Sequence, residues 1–485
     1  MKRNLYNLLL AVTALVSGCD SDEFLGVKPR GKDVPSTFQH YEGLLNNFNP
    51  LILYSSGAGN LYCTLLSDEW YATKASFAQL GSQMGGPQGA SAYRYEADIM
   101  RPDENCDDWA FNSSIYTYNM IINEVMDAEG GTEQQKLAVQ AEARVMRAWL
   151  HFKVAQIFCK PYNEATAATD LGLPVLSSTD ITADNYSRGN LKELYDFIVS
   201  ELEAACPNVQ NGTNLIYRTE KGDAYLMLGS VYFYMNQYDK ALQALRLAKQ
   251  YATENESLVL RNYNDPAEYM NFMMGILGSS MMHYENPEYL RDLNTMNTFI
   301  PMMCIPMMSY FMPASLYIKQ KYMDLFAAGD YRKMFRFGQG AMDTDLRPSV
   351  IFDAQMGATS PDLYTLLAEC EARSGSDAEA KNILLELRKH RMPEAVAAVP
   401  ETVATKDQLI RFCVEERIRE ILGTGKFFFE MRRLWNDPLF ADYKADYKHE
   451  IVDAAGNETY PLTEDRLVMR IPPEVLNWND WENNK

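Results

Sequence analysis

The chain has 485 residues, 47% hydrophobic and 12% aromatic, and a formal net charge of −20. The apolar share supports a sizeable core and excludes a disordered chain, while the acidic balance repels phosphate and argues against nucleic acid as a partner. None of the eight cysteines forms a CxxC pair, so zinc-ribbon and thioredoxin-type sites have no basis; scattered singly, the cysteines read as small buried apolar residues.

In chain order, the first element is a processing signal. Lys2 and Arg3 form a positive start, Leu5 to Val16 is an apolar run too short to span a membrane, and Val16-Ser17-Gly18-Cys19 follows. Small residues before a cysteine resemble a bacterial lipobox. Residues 1–18 are therefore expected to be a lipoprotein signal peptide, with Cys19 carrying diacylglycerol and acyl chains at the head of a tether over 19–36. Asp20, Asp22 and Glu23 resemble the surface-export signal of some Gram-negative lipoproteins. The acyl modification is the one prosthetic group expected, with no other cofactor and no metal.

Residues 37–485 read as one body, mainly all-α. The stretch 55–103 is rich in Gly, Ser and Gln and reads as a loop-rich insertion. It holds Asp68, Glu69, Trp70, Tyr71 and Phe77, an aromatic and acidic group suited to sugar rings. Such rings stack an apolar C–H face on aromatic planes and need polar partners for their hydroxyls. Helix pairs are expected over about 108–253. "EARVMRAWLHFKVAQIF" runs to Pro161. In "NLKELYDFIVSELEAA", Leu191, Leu194, Tyr195, Ile198 and Leu202 share a face, with Asn190 as N-cap. "AYLMLGSVYFYMNQYDKALQALRLAKQY" has tetratricopeptide spacing in Leu228, Gly229, Tyr232, Asn236, Tyr238, Ala241, Leu245 and Ala248. A second loop-rich insertion, 254–342, carries Tyr284, Tyr289 and much of the methionine. It reads either as irregular packing filled by Met or as an adaptable Met-lined binding surface. Helix pairs resume over about 361–436, with the tetratricopeptide pattern again in Ala368, Gly375, Ala380 and Leu384 and a break at Gly423-Thr424-Gly425. The distance between the two copies predicts an interrupted solenoid.

Catalytic constellations are not found. GxSxG and HExxH are absent, the five histidines stand alone, "GTGK" at 423–426 lacks the first P-loop glycine, and adjacent acids such as Asp68-Glu69 do not establish a glycosidase pair. No enzyme activity is expected.

Six patches in order resemble the SusD/RagB family of nutrient-binding outer-membrane lipoproteins. They are "CDSDEFLGVKPRG"; "DDWAFNSSIYTYNMIINEVMDA"; the helix ending "IFCKPY" with "LGLPVL"; the segment with Pro313, Gly329, Asp330 and Arg332; the stretch with Glu416, Arg417, Glu420, Gly425 and Arg432; and "RIPPEVLNWND". The resemblance implies a superhelical scaffold of tetratricopeptide-like helix pairs with a loop-rich ligand-binding subdomain. It also implies a lipid-anchored position on the outer face of the outer membrane. The implied role is to capture an oligosaccharide, or in some members a peptide, without catalysis, for a SusC-like TonB-dependent transporter. Ligand residues vary between members, so Asp68, Glu69, Trp70, Tyr71, Phe77, Tyr284 and Tyr289 are named by location and chemistry alone. A lipid-anchored scaffold that binds only protein is the alternative, and a glycoside hydrolase a third reading.

Overall fold

The computed structural model describes residues 34–46, 58–83, 86–101, 111–180, 186–213, 218–267, 289–291, 316–339, 346–348 and 358–485. The helices of the first half are α1 (Phe38–Leu44), α2 (Ala58–Leu65), α3 (Lys74–Gln83), α4 (Gly86–Tyr93), α5 (Phe111–Glu124), α6 (Glu133–Phe158), α7 (Leu191–Ala205), α8 (Lys221–Tyr234) and α9 (Tyr238–Glu254). Those of the second half are α10 (Gln320–Met323), α11 (Arg332–Arg336), α12 (Ser360–Ser374), α13 (Asp377–Lys389), α14 (Glu394–Ala397), α15 (Lys406–Ile421), α16 (Phe427–Leu434), α17 (Ala441–Asp446) and α18 (Pro473–Leu476). The strands are β1 (Trp70–Thr73), β2 (Tyr289–Arg291), β3 (Tyr317–Ile318), β4 (Phe337–Gln339), β5 (Leu346–Pro348), β6 (Ala358–Thr359), β7 (Lys448–Val452) and β8 (Glu458–Pro461).

Local chemistry sets the helix starts. Thr132 with Gln135, Asn190 with Glu193, and Thr405 with Gln408 form reciprocal capping boxes that satisfy the first backbone N–H groups of α6, α7 and α15. Leu191, Leu194, Tyr195, Ile198 and Leu202 are all buried along α7, as their spacing predicts. The break before α16 is made by Gly423 and Gly425, both at φ 78°, a left-handed conformation that glycine adopts without a Cβ penalty. A Cβ on Gly425 would also stand 2.6 Å from Thr64 Oγ1.

Helix pairs stack in sequence: α5 on α6, α6 on α7, α8 on α9 and α12 on α13. The interruption expected between the two tetratricopeptide copies is closed in space, because α9 packs directly on α12, and α12 on α15. The chain between α9 and α12 leaves the stack and returns to it. Within the α8–α9 pair, Gly229 allows the close crossing, since a Cβ there would meet Leu245 Cδ2 and Cγ at 2.7 Å. Gly229→Val is therefore expected to cost about 1–3 kcal/mol through overpacking. The check is a lowered urea midpoint; an unchanged midpoint would mean that the crossing has room to spare.

The segment 55–103 departs from its loop-rich reading. It contains α2, α3, α4 and β1. Small residues have weak intrinsic preference, and burial of Tyr62, Leu65, Leu80, Ala92 and Tyr93 supplies what propensity lacks. In the second insertion, β2, β3, β4, α10 and α11 are present, while Tyr284 and the runs "NFMMGILGSSMMHY" and "IPMMSYFMP" lie outside the described residues. So do Cys19 and the signal segment. Cys63, Cys159, Cys206, Cys370 and Cys413 are buried as thiols, in the manner of small apolar residues. Among the described residues, no helix is long and apolar enough to cross a membrane.

Candidate functional site

Four strands form a small sheet in the order β3-β1-β7-β8. β1 pairs antiparallel with β3, placing Tyr71 opposite Tyr317, and parallel with β7, placing Ala72 opposite Ile451. Strand alternation sends Trp70 and Ala72 inward and Tyr71 and Thr73 outward. On β7 the same alternation buries His449 and Ile451 and turns Lys448, Glu450 and Val452 out. The outer face therefore carries the half-buried Tyr71, stacked at 5.3 Å on Tyr317, itself buried, with the Lys448–Glu450 ion pair at 3.6 Å on the next strand. A partly exposed phenol ring held by a stack beside a cation and a carboxylate offers an apolar plane and hydrogen-bonding groups to one ligand.

The inner side holds the sheet. Asp68 is fully buried; Lys319 Nζ and Lys321 Nζ each lie 2.7 Å from its carboxylate, while Tyr322 donates at 2.5 Å and the Lys448 N–H at 2.7 Å. It ties the ends of β1, β3 and β7 together. Glu69 accepts from the Gly423 N–H at 2.8 Å and Ser67 Oγ at 3.2 Å, fixing β1 to the turn before α16. Burial pushes its carboxyl up to about 8, against these two donors, with Asp68 adding repulsion. Trp70 has no exposed surface, and its indole N–H donates to the Thr64 carbonyl at 2.9 Å. His449 lies between the rings of Tyr93 and Tyr95 at 4.3 and 4.4 Å; its Nδ1 and Nε2 face the Tyr93 and Ser67 carbonyls, both at 2.7 Å. Burial, then Lys319, pushes its imidazole down to about 4. Tyr95 reaches that ring from φ 55°, a strained conformation for a non-glycine residue.

The sequence-based candidates thus divide. Tyr71 stands on the outer face. Phe77 on α3 is half-buried, 5.5 Å from Tyr93 and capped by the Arg94 guanidinium at 5.6 Å. Asp68, Glu69 and Trp70 are interior and hold the sheet rather than face solvent, because a pair of acids at a strand end pairs most strongly with buried donors. Tyr289 lies on β2, where it pairs with Thr359. Tyr317 carries no signal of its own in the sequence. It is far from Tyr71 along the chain, and only the β1–β3 register brings the two together. Among the described residues no group of three or more His, Cys, Asp or Glu could hold a metal ion.

Stacked helix pairs with a small polar-aromatic sheet define the scaffold. Comparison places it further. Residues 23–233 match the family model SusD-like, described as starch-binding and associating with the outer membrane. Over nearly the whole chain the fold matches a SusD superfamily protein from Bacteroides thetaiotaomicron at 17% identity and a TM-score of 0.67, covering 93% of this chain and 100% of that one. A SusD-like carbohydrate-binding protein from Bacteroides vulgatus matches at 14% identity and a TM-score of 0.63, covering 92% and 97%. A SusD superfamily protein from Bacteroides fragilis matches at 18% identity and a TM-score of 0.66, covering 92% and 99%. No curated protein matches the sequence. Residues 23–233 thus resemble the SusD-like family, the chain has the SusD fold over most of its length, and its mainly helical, tetratricopeptide-like scaffold agrees with the reading of the sequence.

Proposed function

We propose that this chain is a surface lipoprotein, anchored through Cys19, that captures an oligosaccharide without turnover and passes it to a SusC-like TonB-dependent transporter in the outer membrane. The observation that carries the reading is the half-buried Tyr71 on the outer face, backed by its stack on the buried Tyr317 beside Lys448 and Glu450, on a sheet tied together by Asp68. A preorganised aromatic plane binds a sugar face with little ordering penalty. The family description, starch-binding and associating with the outer membrane, and the carbohydrate-binding relative from Bacteroides vulgatus support the same choice.

The full chain, solubilised in detergent, is to be titrated against a panel of oligosaccharides and peptides. Tyr71→Ala is expected to weaken binding of the best oligosaccharide by about tenfold or more, ~1.4 kcal/mol, with the circular dichroism unchanged. Unaltered affinity, exclusive binding of peptides, or cleavage of the sugar would reject the reading. Intact mass of the native protein tests the anchor, which predicts acyl groups on Cys19.

A further inference from the structure

Lys153 lies on α6, one turn after Trp149. Its Nζ stands 5.6 Å from the ring centroid of Trp149 and 5.6 Å from that of Phe429 on α16. Among the described residues these rings are its only partners, and no carboxylate pairs with it. The carboxylate that acts on it, Asp362 on α12, is already taken: it receives Lys426 Nζ at 2.6 Å and Arg417 NH1 at 3.2 Å. Arg417 also meets Glu430 at 3.2 Å, and Glu430 is in turn paired with Arg433. Cations therefore outnumber the acids around Lys153 in a chain whose net charge is −20.

A half-buried ammonium held between two rings with no protein acceptor is only partly solvated. Burial pushes its pKa down to about 8; Lys426 and Arg417 add to the fall, and Asp362 and Cys63 oppose it. Lys153 is half-buried and the Lys426 and Asp362 side chains keep 13% and 14% of their surface, so solvent and small ions reach the cluster. An incoming oxyanion would complete the missing charge-assisted hydrogen bond.

We propose that Lys153, flanked by Trp149 and Phe429 and facing Lys426, is an oxyanion subsite that takes the carboxylate or sulfate ester of an acidic sugar. The inference rests on the oligosaccharide reading above, deepens it to anionic glycans, and uses residues separate from the Tyr71 face.

Three probes of matched length decide it, titrated into the full chain: an oligogalacturonate, a sulfated galactan oligosaccharide and a neutral galacto-oligosaccharide. At least one anionic probe is expected to bind about tenfold more tightly than the neutral one, the size of one charge-assisted hydrogen bond. Which anion shows the preference identifies the source of the charge. In Lys153→Met the anionic-to-neutral ratio is expected to fall to about one. A ratio near one in the native chain, or one unchanged in the variant, overturns the subsite. A second measurement covers failure of the variant to fold: the pH titration of the Lys153 ε-carbon resonance, with and without sodium galacturonate or sulfate. An anion at the site raises the midpoint, and an unmoved midpoint with both anions overturns the proposal. If no oligosaccharide binds but the midpoint rises, the oxyanion site stands and the capture reading fails.

Discussion

Arg332→Met is expected to destabilise the fold by about 3–5 kcal/mol. The side chain has no exposed surface and serves three carboxylates. Its NH2 lies 2.6 Å from Asp330 Oδ2, and its NH1 lies 2.7 Å from Glu416 Oε1 and 2.8 Å from Glu420 Oε1. Arg388 and Arg419 complete the shell of Glu416, and Arg391 reaches Glu420 at 2.9 Å. Burial alone would raise the Glu416 carboxyl, but Arg332, Arg419 and Arg388 hold it well below the usual carboxylate range. Methionine keeps the volume and leaves Asp330 without its guanidinium and the two glutamates with fewer cations. Loss is expected as a lower urea midpoint. The sign of its pH dependence is a second check. A carboxylate with depressed folded pKa contributes stability above its unfolded value near 4.5, and that contribution is lost as pH falls through the folded value. The gap between the native chain and the variant should therefore narrow in acid. A gap that is small at pH 7, or that does not change with pH, would show the network to be replaceable.

The same network explains which parts of the sequence were legible. Gly329, Asp330 and Arg332 form one motif, and Glu416, Arg417 and Glu420 another, far apart along the chain; the structure joins them as one buried ion cluster. These motifs report the fold, and so they carried the family resemblance without locating a ligand. Helix pairs were readable where a start carries a cap and a crossing a small residue, as at Asn190 and Gly229. The sheet was not readable. β1 and β3 are four and two residues long, and their partners come from distant segments, so no local period announces them. Composition alone made Asp68, Glu69 and Trp70 resemble a sugar site. Which side of a strand a residue faces depends on register, and register placed Tyr71 outward and its neighbour Trp70 inward.

Glu69 gives the other large effect, and it runs with opposite sign to Glu416. Its folded pKa, about 8, lies above the ordinary 4.5, chiefly through burial, so the folded chain holds this proton when the unfolded chain has released it. Stability from this group is thus full below pH ~4.5, declines as pH rises, and is lost by about pH 8. The groups that face it are Ser67, the Gly423 N–H and the Asp68 carboxylate, the last already satisfied by Lys319 and Lys321. Glu69→Gln keeps the shape while removing the titration: its amide oxygen accepts from the Gly423 N–H, and its NH2 donates to Ser67 Oγ, a hydroxyl that can accept as well as donate. At pH 4 the variant and the native chain should have similar urea midpoints. At pH 9 the variant should be the more stable by a few kcal/mol, at ~1.4 kcal/mol for each tenfold difference in proton affinity between the folded and unfolded chains. Because Glu69 anchors β1 to the turn before α16, ligand affinity at the Tyr71 face is expected to fall between pH 7 and 9 in the native chain and to stay level in the variant. Parallel pH profiles for the two proteins would mean that Glu69 titrates as an ordinary carboxylate, with water admitted beside the Gly423 turn.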